Sequence, residues 1–428
     1  MSNDYLSSLP EEMLDEISTF FGEDDNEPHQ SYRSLAQTCK SFRVHFQRRL
    51  FSNVDLAAEN CVRTLAEFIQ VNPILASYIQ TIGLKGDNMC MGLFQYPPLL
   101  AIIRAAASSS GTLPSVHLYI GALWSYANEL GNDIPLNTLT HILNAPQNIL
   151  DAITHLRVTD SMEAAIPAGL FRLLSNLRVV SGYFVVSSID DKSSSNRSAE
   201  DHTPEFFRPK LDELSLGGSN PATITMLCEQ ILDLSAVKEL EVFYTQVGST
   251  SKSYLNTKYF LAQRLLNHAQ SVQKLHLDIG VMIGPFYDLS RLQHLRECTL
   301  YLDVKSRKNP VPHLSQLLRT LPPLPEHDLE YLDLTLSFIS IPPNAKDITI
   351  SQVLLSPGTW KEFDAALVDI ASGTRPFKLT LFFCICIPTL NFAAPSLKRL
   401  FVDWERNYLP RSSEQQNLDI VILHSYLF

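Results

Sequence analysis

Apolar side chains follow two rhythms along this chain, and the first gives way to the second near residue 75. Up to that point the spacing predicts helices. In Ser8-Leu9-Pro10-Glu11-Glu12-Met13-Leu14-Asp15-Glu16-Ile17, the residues Met13, Leu14 and Ile17, with Phe20 and Phe21 behind them, form one apolar stripe at helical spacing. Pro10 and the acids suit a first turn, where amide donors lack partners and negative charge is favoured. Gly22 to Gln30 reads as a polar loop. A second amphipathic stretch follows, with Leu35, Cys39, Phe42 and Phe46 on one face and Arg43, Gln47 and Arg48 on others. Residues 50–56 then alternate as a short strand.

Beyond residue 75 the pattern apolar-x-x-apolar-x-apolar recurs, at 79–84, 113–118, 153–158, 174–179, 211–216, 237–242, 272–277, 295–300, 329–334 and 397–402. Phe377, Leu379 and Leu381 make a partial copy. Between copies lie helical stretches at 136–151, 224–234, 259–268, 313–321 and 360–370. Strand, turn and helix repeating in this way describe a solenoid, because each unit buries its apolar face only against its neighbours. A parallel α/β domain also alternates strands and helices. The frequency of the short strand motif favours the solenoid, and its uneven spacing makes that solenoid irregular. The serine-rich polar stretch 187–204 breaks the pattern and is expected to be a mobile loop.

Composition narrows the function. A hydrophobic fraction of 45% against 18% charged residues is that of a folded chain rather than a disordered one. A net charge of -11 disfavours a phosphate-binding surface, so nucleic acid is a poor partner. Seven cysteines without regular spacing do not make a disulfide framework and fit a reducing compartment, cytoplasmic or nuclear. The N-terminus has no secretory pattern, and the apolar runs at 99–107 and 379–387 fall far short of the ~20 residues that span a bilayer. Neither a membrane nor a secreted role is expected.

Against this background, Leu9-Pro10-Glu11-Glu12-Met13-Leu14-Asp15-Glu16-Ile17 resembles the opening of the F-box, L-P-x-E-apolar-L-x-x-I. Leu35-Ala36-Gln37-Thr38-Cys39-Lys40-Ser41-Phe42 is similar to its second half, and Arg48 to Val54 to its usual exit in fungal members. The stretch 72–84 resembles the junction to a leucine-rich-repeat-like tail. Phe42 stands where the family often has Trp, and the repeats lack the Asn/Cys ladder residue. The resemblance implies an α/β chain built as a small helical F-box domain (1–60) followed by an irregular leucine-rich-repeat-like domain (61–428). It also implies a function: substrate recognition for a Skp–cullin–F-box ubiquitin ligase, as a non-catalytic subunit. Leu9, Pro10, Leu14, Ile17, Leu35, Cys39 and Phe42 are then the residues that contact a Skp-type adaptor, and through it a cullin, or that hold that surface. An interaction scaffold with a vestigial F-box and no ubiquitin role is the alternative.

Enzyme chemistry finds little support. The chain has no G-x-S-x-G elbow, no G-x-x-x-x-G-K-[ST] loop, no G-x-G-x-x-G fingerprint and no H-E-x-x-H. Cys384-Ile385-Cys386 lacks a second ligand pair at zinc spacing, so neither metal nor cofactor is expected. Recognition of an unknown protein substrate is expected instead on the outward face of the strands. There the residues flanking the inward leucines include Glu241, Phe243, His276, Tyr301, Tyr331 and Phe401.

Overall fold

The strands start two residues after the first apolar position of the motif, at 81, 115, 213, 239, 274, 297 and 331. That first position belongs to the turn before the strand: Leu211, Val237, Val272, Leu295 and Leu329 are buried there, beneath the strand's own inward pair. The computed structural model describes residues 10, 12–14, 33–38, 40–86, 96–120, 145–158, 165–187, 207–217, 221–243, 262–278, 287–304, 311–321, 328–338, 357–371, 376–386 and 404–427. Its strands are β1 Asn53–Leu56, β2 Thr81–Gly86, β3 Ser115–Ile120, β4 Ile153–Val158, β5 Ala165–Pro167, β6 Val179–Tyr183 and β7 Val185–Ser187. They continue with β8 Glu213–Gly217, β9 Glu239–Phe243, β10 Lys274–Asp278, β11 Glu297–Asp303, β12 Tyr331–Ser337, β13 Phe377–Cys386 and β14 Leu418–Leu427.

The chain divides into two compact units, Met1–Val179 with Ser187–Pro209, and Val180–Val186 with Lys210–Phe428. In the first, β1, β2, β3 and β4 lie side by side in chain order, each pair parallel. Parallel neighbours need a crossover, and the crossovers carry helices. Helix Glu59–Val71 buries Val62, Leu65, Ala66 and Ile69, the i, i+3, i+4, i+7 stripe of a one-sided helix. Helix Pro97–Ser110 starts on prolines, which need no amide partner there, and stops at Gly111 in the left-handed conformation (φ 75°). Helix Lys40–Ser52 runs straight into β1, and its Arg48 guanidinium lies 5.7 Å from the Tyr78 ring of the short 3-10 turn Pro73–Tyr78.

In the second unit β8 to β14 follow one another in chain order, again parallel throughout, with β6 beside β8. The ladder starts one residue before β9 to β12: Lys238, Gln273, Arg296 and Glu330 donate their amides to the carbonyls of Asp212, Lys238, Gln273 and Arg296 in turn, at 2.7–2.8 Å, and Lys378 within β13 donates likewise to Glu330 at 2.8 Å. Inward side chains such as Leu240, Leu275, Leu300, Leu334 and Leu381 are fully covered. Helix Pro357–Ala371 adds a ring cluster to that core. Its Trp360 lies edge-on to Phe363 at 5.5 Å and to Trp404 at 4.8 Å, with Phe383 of β13 at 6.4 Å.

The chain is α/β, but the expected plan of a separate helical F-box followed by a leucine-rich-repeat-like solenoid is corrected. The N-terminal helices belong to an α/β unit, and the strands form open, all-parallel sheet in each unit, closed on itself in neither. The physical reason is that the motif specifies a half-buried parallel strand with a buried lead-in, and nothing in it dictates a repeat-to-repeat coil. The Asn/Cys ladder that would impose one is missing. Residues 50–52 finish a helix rather than start a strand. The copy at 174–179 is mostly turn, and β14 was not expected at all. The expected helix at 136–151 is described only as Gln147–Ala152. The copy at 397–402 lies outside the described residues, as does the polar loop beyond Ser187.

Candidate functional site

Because the strands of the second unit stay in phase, their outward side chains line up in rows. The row nearest the strand starts runs Glu213, Glu239, Lys274, Glu297, Tyr331, Lys378, Asp419 from β8 to β14. Next come Ser215, Glu241, His276, Thr299, Asp333, Thr380 and Val421. A third row begins with Gly217 and Phe243 on β8 and β9. It carries on with Asp278, Tyr301, Thr335, Phe382 and Leu423 from β10 to β14. The first row is mostly charged and the third is rich in rings, so the face grades from ionic to apolar along the strands.

The ionic row is tied together by one cation. The Lys274 ammonium lies 3.4 Å from Glu239 and 3.7 Å from Glu297, and these two carboxylates raise its pKa. Glu213 faces Glu239 and, among the described residues, forms no ion pair. Desolvation first, then Glu239 and Asp212, push its carboxyl upward against the pull of Lys274. In the middle row Ser215 donates to Glu241 at 2.9 Å, and Glu241 lies 3.4 Å from Nδ1 of His276. The His276 ring is 5.7 Å from that of Phe243. At the start of β12, β13 and β14 an open groove of about 790 Å³ is lined by Tyr331, Lys378, Phe377, Leu418 and Asp419 among others.

Glu241, Phe243, His276 and Tyr301 are half-buried on this face, and Tyr331 is 46% exposed; Phe401 lies outside the described residues. Of the adaptor candidates, Leu14, Leu35 and Phe42 come together with Ala36 and Phe46 in one small apolar cluster. Leu14 and Phe42 are buried there, whereas Pro10 is exposed. Leu9, Ile17 and Cys39 lie outside the described residues.

Sequence reasoning missed a second row, in the first unit. Asp55, Gly83, His117 and His155 are successive partners across β1 to β4. Gly83 has no side chain, and the Asp55 carboxylate occupies the space a Cβ would take. The register slips between Val116 and His117, a β-bulge that turns Thr154 and His155 to the same side. Ser115 and Thr154 then share a short hydroxyl–hydroxyl hydrogen bond. His117 Nε2 reaches Ser115 at 3.1 Å and His155 Nδ1 reaches Thr154 at 2.8 Å. The visible signal was the pair of histidines before inward leucines, His117-Leu118 and His155-Leu156, which the slipped frames hid.

No protein-family model matches the chain, and no curated protein matches it. Among the described residues no group of three or more His, Cys, Asp or Glu is placed to hold a metal, and no helix is long and apolar enough to cross a membrane.

Proposed function

We propose that this chain is the non-catalytic substrate-recognition subunit of a Skp–cullin–F-box ubiquitin ligase, working in the cytoplasm or nucleus. Its N-terminal segment engages the Skp-type adaptor and its outward strand face takes the protein substrate. One observation carries this reading. The two separated halves of the F-box resemblance, around Leu14 and around residues 35–42, meet in a single cluster of Leu14, Ala36, Phe42 and Phe46, with Leu35 against it. A segment this small has too little core to cover all of its apolar residues, and what is left exposed wants a partner. Met13, 47% exposed, is such a residue.

A protein-binding scaffold without a ubiquitin role is the second reading. The burial of Leu14 and Phe42, 4% exposed each, favours it, because it withdraws two adaptor candidates into the chain's own core. Affinity purification of the full chain with mass spectrometry separates the two. The ligase reading expects a Skp-type adaptor and a cullin among the captured proteins, and loss of both on Leu9→Ala with Pro10→Ala, since apolar anchors of this kind each contribute over ~1 kcal/mol. Capture of other proteins with no adaptor under any condition overturns it in favour of the scaffold.

A further inference from the structure

We infer that the partner received by the outward face of the second unit is a basic, amphipathic polypeptide segment. It lies across the strands with Lys and Arg over the charged row and aliphatic or aromatic side chains over the third row. This rests on the reading of that face as a protein-binding surface and names the chemistry of what it binds. Among the described residues of β8 to β14, the outward carboxylates are Glu213, Glu239, Glu241, Asp278, Glu297, Asp333 and Asp419, and the lysines are Lys274 and Lys378 alone.

Lys274 is already shared between Glu239 and Glu297, so among the described residues Glu213 faces a carboxylate and forms no ion pair of its own. A cationic side chain over that pair relieves the like-charge contact, and an acidic one adds to it. The charge also argues against other occupants. A second copy of a chain with net charge -11, or a nucleic acid, meets repulsion here. The rings supply the rest: Phe243 and Tyr301 are half-buried on the apolar side of the face, and Tyr331 stands 46% exposed beside the groove, where an Arg or Lys can lie against it.

The experiment uses the full chain and two fluorescein-labelled 18-residue amphipathic peptides, one of Lys, Leu and Tyr, the other with every Lys replaced by Glu. Binding is read by fluorescence anisotropy. The lysine peptide is expected to bind and the glutamate peptide not to. Glu213→Gln with Glu239→Gln and Glu297→Gln should weaken the lysine peptide at least tenfold, and Phe243→Ala with Tyr301→Ala should do the same. A control removes the same charge elsewhere, Glu59→Gln with Glu67→Gln and Glu414→Gln, all exposed positions, and should change binding less than twofold. Circular dichroism confirms that each variant is folded. Equal binding of both peptides, no binding of the lysine peptide, or equal losses in the face variant and the control each overturn the inference. The assay contains no adaptor, so its failure is separate from a failure to capture one.

Discussion

The imidazole rings of His117 and His155 lie 3.7 Å apart, centroid to centroid, on neighbouring parallel strands and tilted by 33°. Two cations at that distance would repel strongly, so the pair is compatible with the fold only while at least one ring is neutral. Burial first, and His117 second, hold His155 down at about 4, and burial lowers His117 as well, with Asp55 pulling the other way.

Stability should therefore depend on pH in a defined window. A histidine depressed in the folded state takes up its proton first in the unfolded chain, so protons favour unfolding as pH falls from about 6.5 towards 4. Above that window both states carry a neutral ring and the contribution is constant. The ring is only half-buried, so about 1–2 kcal/mol of loss is expected from His155 rather than the full shift. Urea melts at pH 7.5 and 4.5 on the wild type and on His155→Gln measure it. The variant should lose less stability between the two pH values than the wild type does, and equal losses would refute the account.

How much was legible follows from what each residue had to satisfy. The alternation of Leu240 and Val242 with Glu239, Glu241 and Phe243 showed the strand, its inward face and its outward row, because a one-sided strand writes its burial directly into a period of two. The bulge at β3–β4 was hidden. The 113–118 and 153–158 frames set Leu118 opposite Val158, while the structure pairs Leu118 with Leu156, so the histidine row does not exist in the sequence frame. The two N-terminal apolar segments were visible as helical stripes, but a stripe does not say whether it faces a partner or its own core; Leu14 and Phe42 face the core. The open parallel sheet in place of a solenoid was illegible for a similar reason, since strand pattern fixes one face of one strand and leaves the path between strands free.

Phe46 anchors that N-terminal cluster. It is fully buried and meets Phe42 edge-on at 5.6 Å. Phe46→Ala should cost about 3–4 kcal/mol in chemical denaturation, the usual loss for an emptied aromatic site. Met13→Ala, at an exposed position, should stay within about 0.5 kcal/mol while still weakening any adaptor capture. Comparable destabilisation by both would mean that Met13 is core as well.

Gly217 is required by its neighbour. A Cβ there would fall into the edge of the Tyr183 ring, which crosses the glycine within the same unit. Gly217→Ala should destabilise the chain by about 1–3 kcal/mol, the range for forcing extra volume into packed surroundings. Tyr183→Ala in the same background should recover most of that loss, because it clears the space. A double variant no better than the sum of the two singles would show that the ring is not the obstacle.

Asp364 joins the long helix Pro357–Ala371 to the short helix Pro410–Ser413, and through it to β14. Its two carboxylate oxygens accept the amides of Arg411 at 3.1 Å and Ser412 at 2.8 Å, while the Ser412 hydroxyl donates to its carbonyl at 3.2 Å. Leu409, the residue before the short helix, offers no side-chain cap, so the first-turn amides depend on this carboxylate from a different helix. Asp364 is 3% exposed, and removing it leaves those donors facing a space that water enters poorly. Asp364→Ala should cost about 2–3 kcal/mol, and Asp364→Asn, which keeps one acceptor oxygen, about half as much. Hydrogen exchange reads the local effect: the Arg411 and Ser412 amides should lose protection in the alanine variant. Loss should spread into β14, whose first residue is tied back to the end of this turn by Leu418 N–H to the Gln415 carbonyl. Unchanged protection at residues 411 and 412 in Asp364→Ala would show that the helix caps itself and that the carboxylate serves only the packing beneath it.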